Sequence, residues 1–239
     1  MFQPGGPSLF ELLQQALSDT TEGYDKLAPK FDKTPFRTPD AVLETFARQA
    51  AKQPFDAALD VCCGTGAAMK HLRPYCGRVV GLDLSRGMLD VAERELAAEA
   101  GRAEVELVQG DARVLPTRFH GAFDLVTSTG AFGHIEERDE HRFLTEIRKA
   151  LRPGGRFVFV TGEAPPITSA WFWLAHGFNA TMHLRNALLP SRFVMIYLTF
   201  LWPEVKRKLV AAGFTVEARH GLFAPPYARA IYVEAVRRE

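Results

Sequence analysis

Cysteine is scarce in this chain, and what there is cannot cross-link it. Only three of the 239 residues are cysteine, and two of them, Cys62 and Cys63, are adjacent. Adjacent cysteines rarely bridge each other, so the sequence excludes a disulfide framework and favours reduced thiols in the cytoplasm. No cysteine or histidine pair stands at the spacing of zinc ligands, so we expect no metal site.

An excess of charge of either sign is also missing. Lysine and arginine total 29 and aspartate and glutamate total 28, which leaves a formal net charge of +1. A nearly neutral chain has no overall positive field to attract nucleic acid, so we expect no nucleic-acid partner.

Long hydrophobic runs are absent too. The most apolar stretch, residues 193–202, is much shorter than the roughly 20 residues that cross a bilayer. The N-terminal segment lacks the basic and apolar regions of a signal peptide. We therefore expect a soluble protein without integral membrane contact.

The remaining composition is that of one globular domain, with 47% hydrophobic and 24% charged residues. Apolar residues recur at helical spacing at Met88, Ala92 and Leu96, between short runs rich in β-branched residues. Strands alternating with helices predict an α/β fold with a mostly parallel sheet and helices on both faces. The predicted strands are 57–61, 78–83, 105–109, 123–128 and 156–162.

The two ends of the chain differ from this alternation. A helix near Pro203 is followed by strand-like runs at 214–222 and 228–236, which predict an antiparallel hairpin at the edge of the sheet. An amphipathic helix around Phe46 predicts an N-terminal helical extension. We expect one domain over 1–239 with four segments: an N-terminal lid (1–55), a core (56–162), a cap insertion (163–202) and a C-terminal helix with hairpin (203–239).

The sharpest local signal is the run DVCCGTG at residues 60–66, where a strand ends and a helix begins. Gly64 and Gly66 permit backbone conformations and close approaches that a Cβ would block. A dinucleotide site would require a third glycine where this chain has Met69, and the lysine of a P-loop is missing. Asp60, directly before the turn, suits the cationic end of a ligand better than a phosphate.

Two further acids follow the next two predicted strands. Asp83, in GLDLS, is placed to accept hydrogen bonds from the hydroxyls of a ribose. Asp111, in QGDA, can accept from an adenine amino group while Ala112 leaves room for the ring. Together with Asp60, these acids predict a site for adenosine carrying a cationic amino-acid tail.

Five segments in order, 60–66, 81–85, 109–112, 123–135 and 151–160, resemble the motifs of class I S-adenosylmethionine-dependent methyltransferases. The resemblance covers about residues 20–162 and the helix and hairpin after 203. It implies an enzyme with a Rossmann-like seven-stranded sheet and S-adenosylmethionine as cofactor. Residues 24–32 are similar to the tyrosine-containing lid of relatives that act on quinones and other small molecules.

The same resemblance implies roles for individual residues. Cys62 stands where the family has the first glycine of its turn, which is the one clear departure from the pattern. The implied cofactor contacts are Asp60, Cys62, Gly64 and Gly66 at the methionine end, Asp83 at the ribose, Leu84 and Met88 on the adenine face, Asp111 and Ala112 at the adenine edge, Thr129 and Gly130 beside the cofactor, and Tyr24 in the lid.

Methyl transfer to oxygen also needs a base, and His134 is the candidate because it follows the small residues Gly130 and Ala131 where strand ends meet. The alternative is a structural or helix-capping histidine. A second hypothesis for the whole chain is a non-catalytic relative that binds the cofactor or a partner.

The cap insertion, residues 163–202, contains all three tryptophans but only three formal charges, Glu163, Arg185 and Arg192. So apolar a segment predicts burial against something. A hydrophobic or aromatic small-molecule acceptor, a second subunit in a homodimer and a membrane surface are the three candidates. Aromatic residues serve an acceptor pocket, extra core and a dimer face alike, so these alternatives stay open. The membrane surface is less favoured, because the segment lacks a polar face rich in lysine and arginine.

Overall fold

A computed structural model describes residues 4–98, 101 and 103–238, so the outermost bounds of the predicted lid and C-terminal segment, residues 1 and 239, lie outside the described residues. Seven strands form one sheet in the order β3-β2-β1-β4-β5-β7-β6. The strands are β1 (Ala57–Val61), β2 (Arg78–Asp83), β3 (Glu104–Gln109), β4 (Phe123–Ser128), β5 (Leu151–Thr161), β6 (Phe214–Arg219) and β7 (Ile231–Arg237).

The first five strands are parallel, and the order of the sheet reverses between β1 and β4. Ligands of doubly wound sheets bind in the crevice at the carboxyl ends of the strands beside such a reversal. Asp60 and Thr127 pair in register across it. This topology, with its antiparallel C-terminal strands and helical N-terminus, confirms the predicted fold class.

The predicted antiparallel hairpin is present at the edge of the sheet, where β7 pairs with β5 and β6 is the outer strand. One detail of the sheet differs from the prediction. Strand β5 begins at Leu151 rather than at Arg156. Phe123 of β4 pairs with Leu151 and Leu125 of β4 pairs with Arg156, so the register shifts between these two pairs and β5 has extra residues there. The Pro153-Gly154-Gly155 sequence therefore lies inside a strand irregularity, not in a separate turn.

Helices α3 to α6 and α8 cover the sheet, and α1, α2 and α7 lie around one end of it. Ser8 and Asp19 cap α1 and α2 through side-chain oxygens, and Ser85 caps α5 in the same way. The helices are α1 (Leu9–Leu17), α2 (Thr20–Leu27), α3 (Asp40–Ala50), α4 (Ala67–Leu72), α5 (Arg86–Ala97), α6 (Glu137–Ala150), α7 (Ala170–Leu188) and α8 (Glu204–Ala211).

A cluster of phenylalanine rings fills the core on the side of α6. Phe132 and Phe200 stack with ring centroids 4.4 Å apart, and Phe159 meets Phe132 edge-on at 5.1 Å. Phe143 and Phe157 close the cluster against α6 and β5. Residue 200 belongs to the predicted cap, so the end of the cap is part of the core.

Helix α7, which forms the middle of the cap, is the exception to this burial. Of its residues only Ala175 is buried, and its large apolar side chains at Trp173, Leu174, Leu184 and Leu188 are exposed. None of the helices in the described part of the chain is long and apolar enough to cross a bilayer.

Candidate functional site

A cavity of about 520 Å³ lies at the carboxyl ends of the central strands. Four parts of the chain surround it: the segment from α2 to α3, the turn after β1, the loops after β2 to β5, and the chain that follows α7. Most of the predicted site residues line it, namely Tyr24, Cys62, Gly64, Asp83, Leu84, Met88, Ala112, Thr129, Gly130 and His134.

In the turn after β1, every second residue from Cys62 to Gly66 has a positive φ angle. Cys62, in the place of the family's first glycine, has φ 57°, which costs an L-residue roughly 1–2 kcal/mol. Gly64 has φ 54°, and a Cβ there would meet nothing within 4 Å. Gly66 has φ 80° and a Cβ there would touch Leu96 at 3.1 Å, so Gly66 allows α4 and α5 to approach rather than lining the cavity.

Asp83 ends β2 and faces the cavity. One carboxylate oxygen accepts the Gly64 N–H at 2.8 Å and the other accepts the Ser85 N–H at 2.9 Å. Burial raises the pKa of Asp83 above its ordinary value, and those backbone donors oppose the rise. The carboxylate is therefore fixed in place between the turn after β1 and the start of α5.

Asp60 is fully buried behind this surface and does not line the cavity. Its Oδ1 accepts the Thr127 hydroxyl at 2.7 Å, while Oδ2 is buried without a protein partner. Burial, with a smaller contribution from the charge of Asp83, raises the pKa of Asp60 to about 7. The Asp60 carboxyl therefore keeps its proton to a higher pH than an ordinary aspartate does.

This raised pKa makes the stability of the protein depend on pH in a defined direction. A carboxyl whose pKa is raised on folding stabilises the protein below its unfolded pKa, and the contribution is lost as pH rises through the folded value. An Asp60→Asn variant keeps the acceptor for Thr127 but cannot ionise. We expect its unfolding free energy, relative to wild type, to rise by about 2–3 kcal/mol between pH 5 and pH 8.

Urea unfolding of both proteins across that range measures this difference. The exposed α5 residue Asp90 provides the matched control, since Asp90→Asn makes the same change from carboxylate to amide at the surface. A pH-independent difference for Asp60→Asn would show that Asp60 has an ordinary pKa.

Asp111 also lies outside the cavity lining, in contrast to its neighbours Gly110 and Ala112. Its carboxylate forms a two-pronged ion pair with Arg113, and Arg113 also reaches Asp139 at 2.8 Å. Hydrogen bonds from Arg113 hold the pKa of Asp111 below its usual range despite partial burial. This network fixes the loop after β3, and Ala112 presents the small surface that the sequence predicted.

His134 lies in a short 3-10 helix (Phe132–His134) after β4, and its side chain is half-buried. Its Nδ1 lies 2.6 Å from the backbone carbonyl of Val194, and its Nε2 lies 2.8 Å from the hydroxyl of Tyr24. A carbonyl only accepts, so Nδ1 carries the proton and Nε2 accepts the Tyr24 O–H. Burial lowers the pKa of His134, which keeps the ring neutral at neutral pH.

The segment from α2 to α3 is held over the cavity by two aspartates. Asp25 accepts the Ser85 hydroxyl at 2.5 Å and the Gly87 N–H at 2.8 Å, at the start of α5. Asp32 accepts the Thr65 hydroxyl at 2.7 Å, in the turn after β1. The lid is thus tied to both loops that carry the predicted cofactor residues.

The cap reaches the cavity through the chain that follows α7. The Ile196 N–H donates to the Gly133 carbonyl at 2.8 Å, next to His134, and the Val194 N–H donates to the Thr20 hydroxyl at the same distance. Residues 195–199 line the cavity. The part of the cap that lines the cavity is therefore its non-helical end, and no described residue of α7 lines it.

Several lining residues were not identified from the sequence. Phe31 and Phe36 add apolar surface, and Arg37 is the only lysine or arginine among the described lining residues. Arg37 pairs with Asp40 at 2.7 Å and with Asp32 at 3.4 Å. No local pattern around Arg37 indicated that the chain folds back over the sheet before α3 begins.

Comparison with known families gives an independent result. Residues 58–155 match the family described as a methyltransferase domain. That stretch runs from β1 into β5 and includes the loops that follow β1, β2, β3 and β4.

Two curated relatives are both described as demethylmenaquinone methyltransferase. The protein from Lactobacillus johnsonii is 33% identical over 155 residues, covering 62% of this chain and 62% of that one. The protein from Thermus thermophilus is 37% identical over 169 residues, covering 66% of this chain and 74% of the relative. Against several relatives, including the first of these two, the aligned part spans less than two thirds of the relative's length.

A solved structure described as a DhpI–SAH complex has the same fold. It superimposes with a TM-score of 0.66 at 19% identity, covering 97% of this chain and 99% of the other. The chain belongs to the class I S-adenosylmethionine-dependent methyltransferases.

Proposed function

We propose that this protein transfers a methyl group from S-adenosylmethionine to a small hydroxylated aromatic acceptor of the quinol type. The observation that carries the proposal is a single cavity that combines the predicted cofactor residues with the aromatic lid, the apolar end of the cap and His134. Each of these sets of residues comes from a different part of the chain, and the fold brings them together around this cavity.

The chemistry of the turn after β1 fits the proposed cofactor. The space beside Gly64 leaves room for close approach of a ligand to the backbone. Burial raises the pKa values of both Asp60 and Asp83, so a cationic ligand nearby would stabilise their ionised forms. Residues proposed to contact it are Tyr24, Cys62, Gly64, Asp83, Leu84, Met88, Ala112, Thr129 and Gly130, with Asp60, Gly66 and Asp111 supporting them from behind.

The acceptor class is supported by the lining of the cavity and by the relatives. Phe31, Phe36, Phe132 and residues 195–198 provide an apolar wall suited to an aromatic ring. Curated relatives carry the name demethylmenaquinone methyltransferase. A quinone is electron-poor, whereas methyl transfer needs an acceptor that donates electrons, so we propose that the reduced quinol is the form methylated.

In this mechanism the protein positions, desolvates and deprotonates the acceptor. S-adenosylmethionine, when bound, supplies an activated methyl group. The lid and cap exclude water from the cavity, and the neutral His134 removes the proton of the acceptor hydroxyl, with its Nδ1–H held by the Val194 carbonyl. Removal of this proton makes the acceptor oxygen, or the ring carbon conjugated to that oxygen, a stronger nucleophile.

The test is a comparison of acceptors in one assay. Purified protein is incubated with S-adenosylmethionine labelled in its methyl group and with 1,4-naphthoquinol, phenols, aromatic amines or the oxidised 1,4-naphthoquinone. Mass spectrometry then detects labelled methyl in the product. We expect methylation of the quinol and none of the oxidised quinone. Calorimetric binding of the cofactor with no product from any acceptor would favour the non-catalytic alternative instead.

A further inference from the structure

The lone pair of the proposed base is already engaged in this structure. Tyr24 Oη lies 2.8 Å from His134 Nε2, and the two rings meet edge-on with centroids 5.0 Å apart. Phe193 stacks on the other side of the Tyr24 ring, at 6.3 Å. An acceptor in the cavity therefore meets His134 only through the Tyr24 hydroxyl or after displacing it.

The arrangement around this pair is directional. Val194 accepts from Nδ1 and fixes which nitrogen of His134 is free, so the Tyr24 hydroxyl must donate to Nε2. The oxygen of Tyr24 then keeps its own lone pairs for another donor. Tyr24 and His134 both line the cavity, so the hydroxyl group of a methyl acceptor bound there can donate a hydrogen bond to the Tyr24 oxygen.

The surrounding contacts hold both partners in place. Thr20, one turn before Tyr24 on α2, accepts the Val194 N–H and donates to the Arg192 carbonyl. The segment that orients His134 is thus bonded to the helix that carries Tyr24. Lid and cap form one unit around the pair.

We propose that Tyr24 is a catalytic residue that relays the acceptor's proton to His134. This inference rests on the proposed function and adds a second residue to its proton transfer. Tyr24 was predicted only as a cofactor contact, and the relay gives its hydroxyl a separate role.

The relay conserves atoms and charge. The acceptor O–H gives its proton to Tyr24 Oη as the Tyr24 proton passes to His134 Nε2, so Tyr24 ends neutral and His134 becomes an imidazolium. The electron pair left on the acceptor forms the bond to the methyl carbon, whose bond to sulfur breaks with its pair remaining on sulfur. One positive charge thus moves from the sulfonium to His134.

The ionisable neighbours favour a concerted transfer over a tyrosinate. Burial, the charge of Asp83 and the proximity of Tyr197 all raise the pKa of Tyr24, so its anion is strongly disfavoured. On the other side, burial lowers the pKa of His134 while the Val194 carbonyl raises it. Tyr24 therefore passes one proton on as it receives another.

Replacing Tyr24 with phenylalanine tests the relay, because it removes one oxygen and leaves the ring that packs between Phe193 and His134. We expect kcat with 1,4-naphthoquinol to fall at least 100-fold while KM changes less than threefold. Loss of the donor to neutral Nε2 should also raise the pKa of His134 and move the acid limb of the activity profile to higher pH. Tyr227→Phe, at an exposed position outside the cavity, is the matched control and should behave as wild type.

Two measurements separate the relay from a structural role. Nitrogen-15 NMR of the histidines, assigned with His134→Gln, should show the Nδ1–H form of His134 in both wild type and Tyr24→Phe. In mixtures of light and heavy water, kcat of the wild type should fall along a curve, since two protons move in one step, whereas Tyr24→Phe should give a straight line.

The outcomes distinguish the relay from the function on which it rests. If the wild type methylates the quinol and Tyr24→Phe does so within threefold of its kcat, Tyr24 is merely displaced by the acceptor and the relay is overturned alone. If Tyr24→Phe loses activity together with the Nδ1–H form of His134, its role is structural and the relay is again overturned. A wild type inactive on every acceptor overturns both proposals.

Discussion

A His134→Gln variant should lose about two to four orders of magnitude in kcat, because glutamine fills a similar volume but cannot accept a proton at neutral pH. In the wild type the base works only when neutral. Burial holds the pKa of His134 below its ordinary 6.5, so turnover should rise with pH through that lowered value and be complete at neutrality. The variant should lack this acid limb in its kcat profile.

The exposed His141 on α6 provides the control for this experiment. His141→Gln should retain both the rate and the profile of the wild type. Cofactor affinity, measured by calorimetry, should be the same in all three proteins, since His134 is proposed to act on the acceptor. An unchanged pH profile in His134→Gln would return this residue to a structural role, with its two hydrogen bonds serving only to join lid and cap.

Loss of cofactor binding is the second large effect, expected for Asp83→Asn. The carboxylate is fixed by the Gly64 and Ser85 N–H groups, so it offers its remaining lone pairs in one direction, into the cavity. Removing the charge should weaken S-adenosylmethionine binding by more than tenfold, which corresponds to about 1.5–3 kcal/mol for charge-assisted hydrogen bonds. Isothermal calorimetry measures the change directly.

Stability must be followed in the same variant, because Asp83 also joins two loops. The thermal midpoint without ligand should fall, since an asparagine oxygen can accept only one of the two N–H groups and its NH2 group would face the other. Binding is therefore measured well below that midpoint, where the variant is folded. Asp90→Asn serves as the control for charge removal on the neighbouring helix. An Asp83→Asn protein that binds the cofactor with wild-type affinity would refute the assignment of this strand end to the ribose.

Local patterns account for most of what the sequence predicted. The strands at 57–61, 78–83 and 123–128 have the predicted bounds, because buried parallel strands are short runs rich in apolar residues. The crevice could be located for the same reason, since residues that follow parallel strands meet at one edge. Ten of the predicted site residues line a single cavity as a result.

Non-local contacts account for what could not be predicted. The carbonyl that orients His134 comes from Val194, sixty residues further along, and a backbone carbonyl has no signature in the sequence. Tyr24, the partner of the other ring nitrogen of His134, precedes His134 by 110 residues in the sequence. Asp60 was predicted to contact the ligand, yet it lies behind the cavity. There β1 pairs with β4, and the Thr127 hydroxyl donates a hydrogen bond to an Asp60 carboxylate oxygen.

The phenylalanine cluster restricts the motion of the loop that carries the proposed base, His134. His134 follows β4 in a loop, and loops are normally the mobile part of an active site. Two residues earlier, however, Phe132 stacks on Phe200 and meets Phe159 of β5 edge-on, within the buried phenylalanine cluster. If His134 is the base, its imidazole is held next to this tightly packed cluster, so little conformational entropy would be lost in aligning it for each turnover.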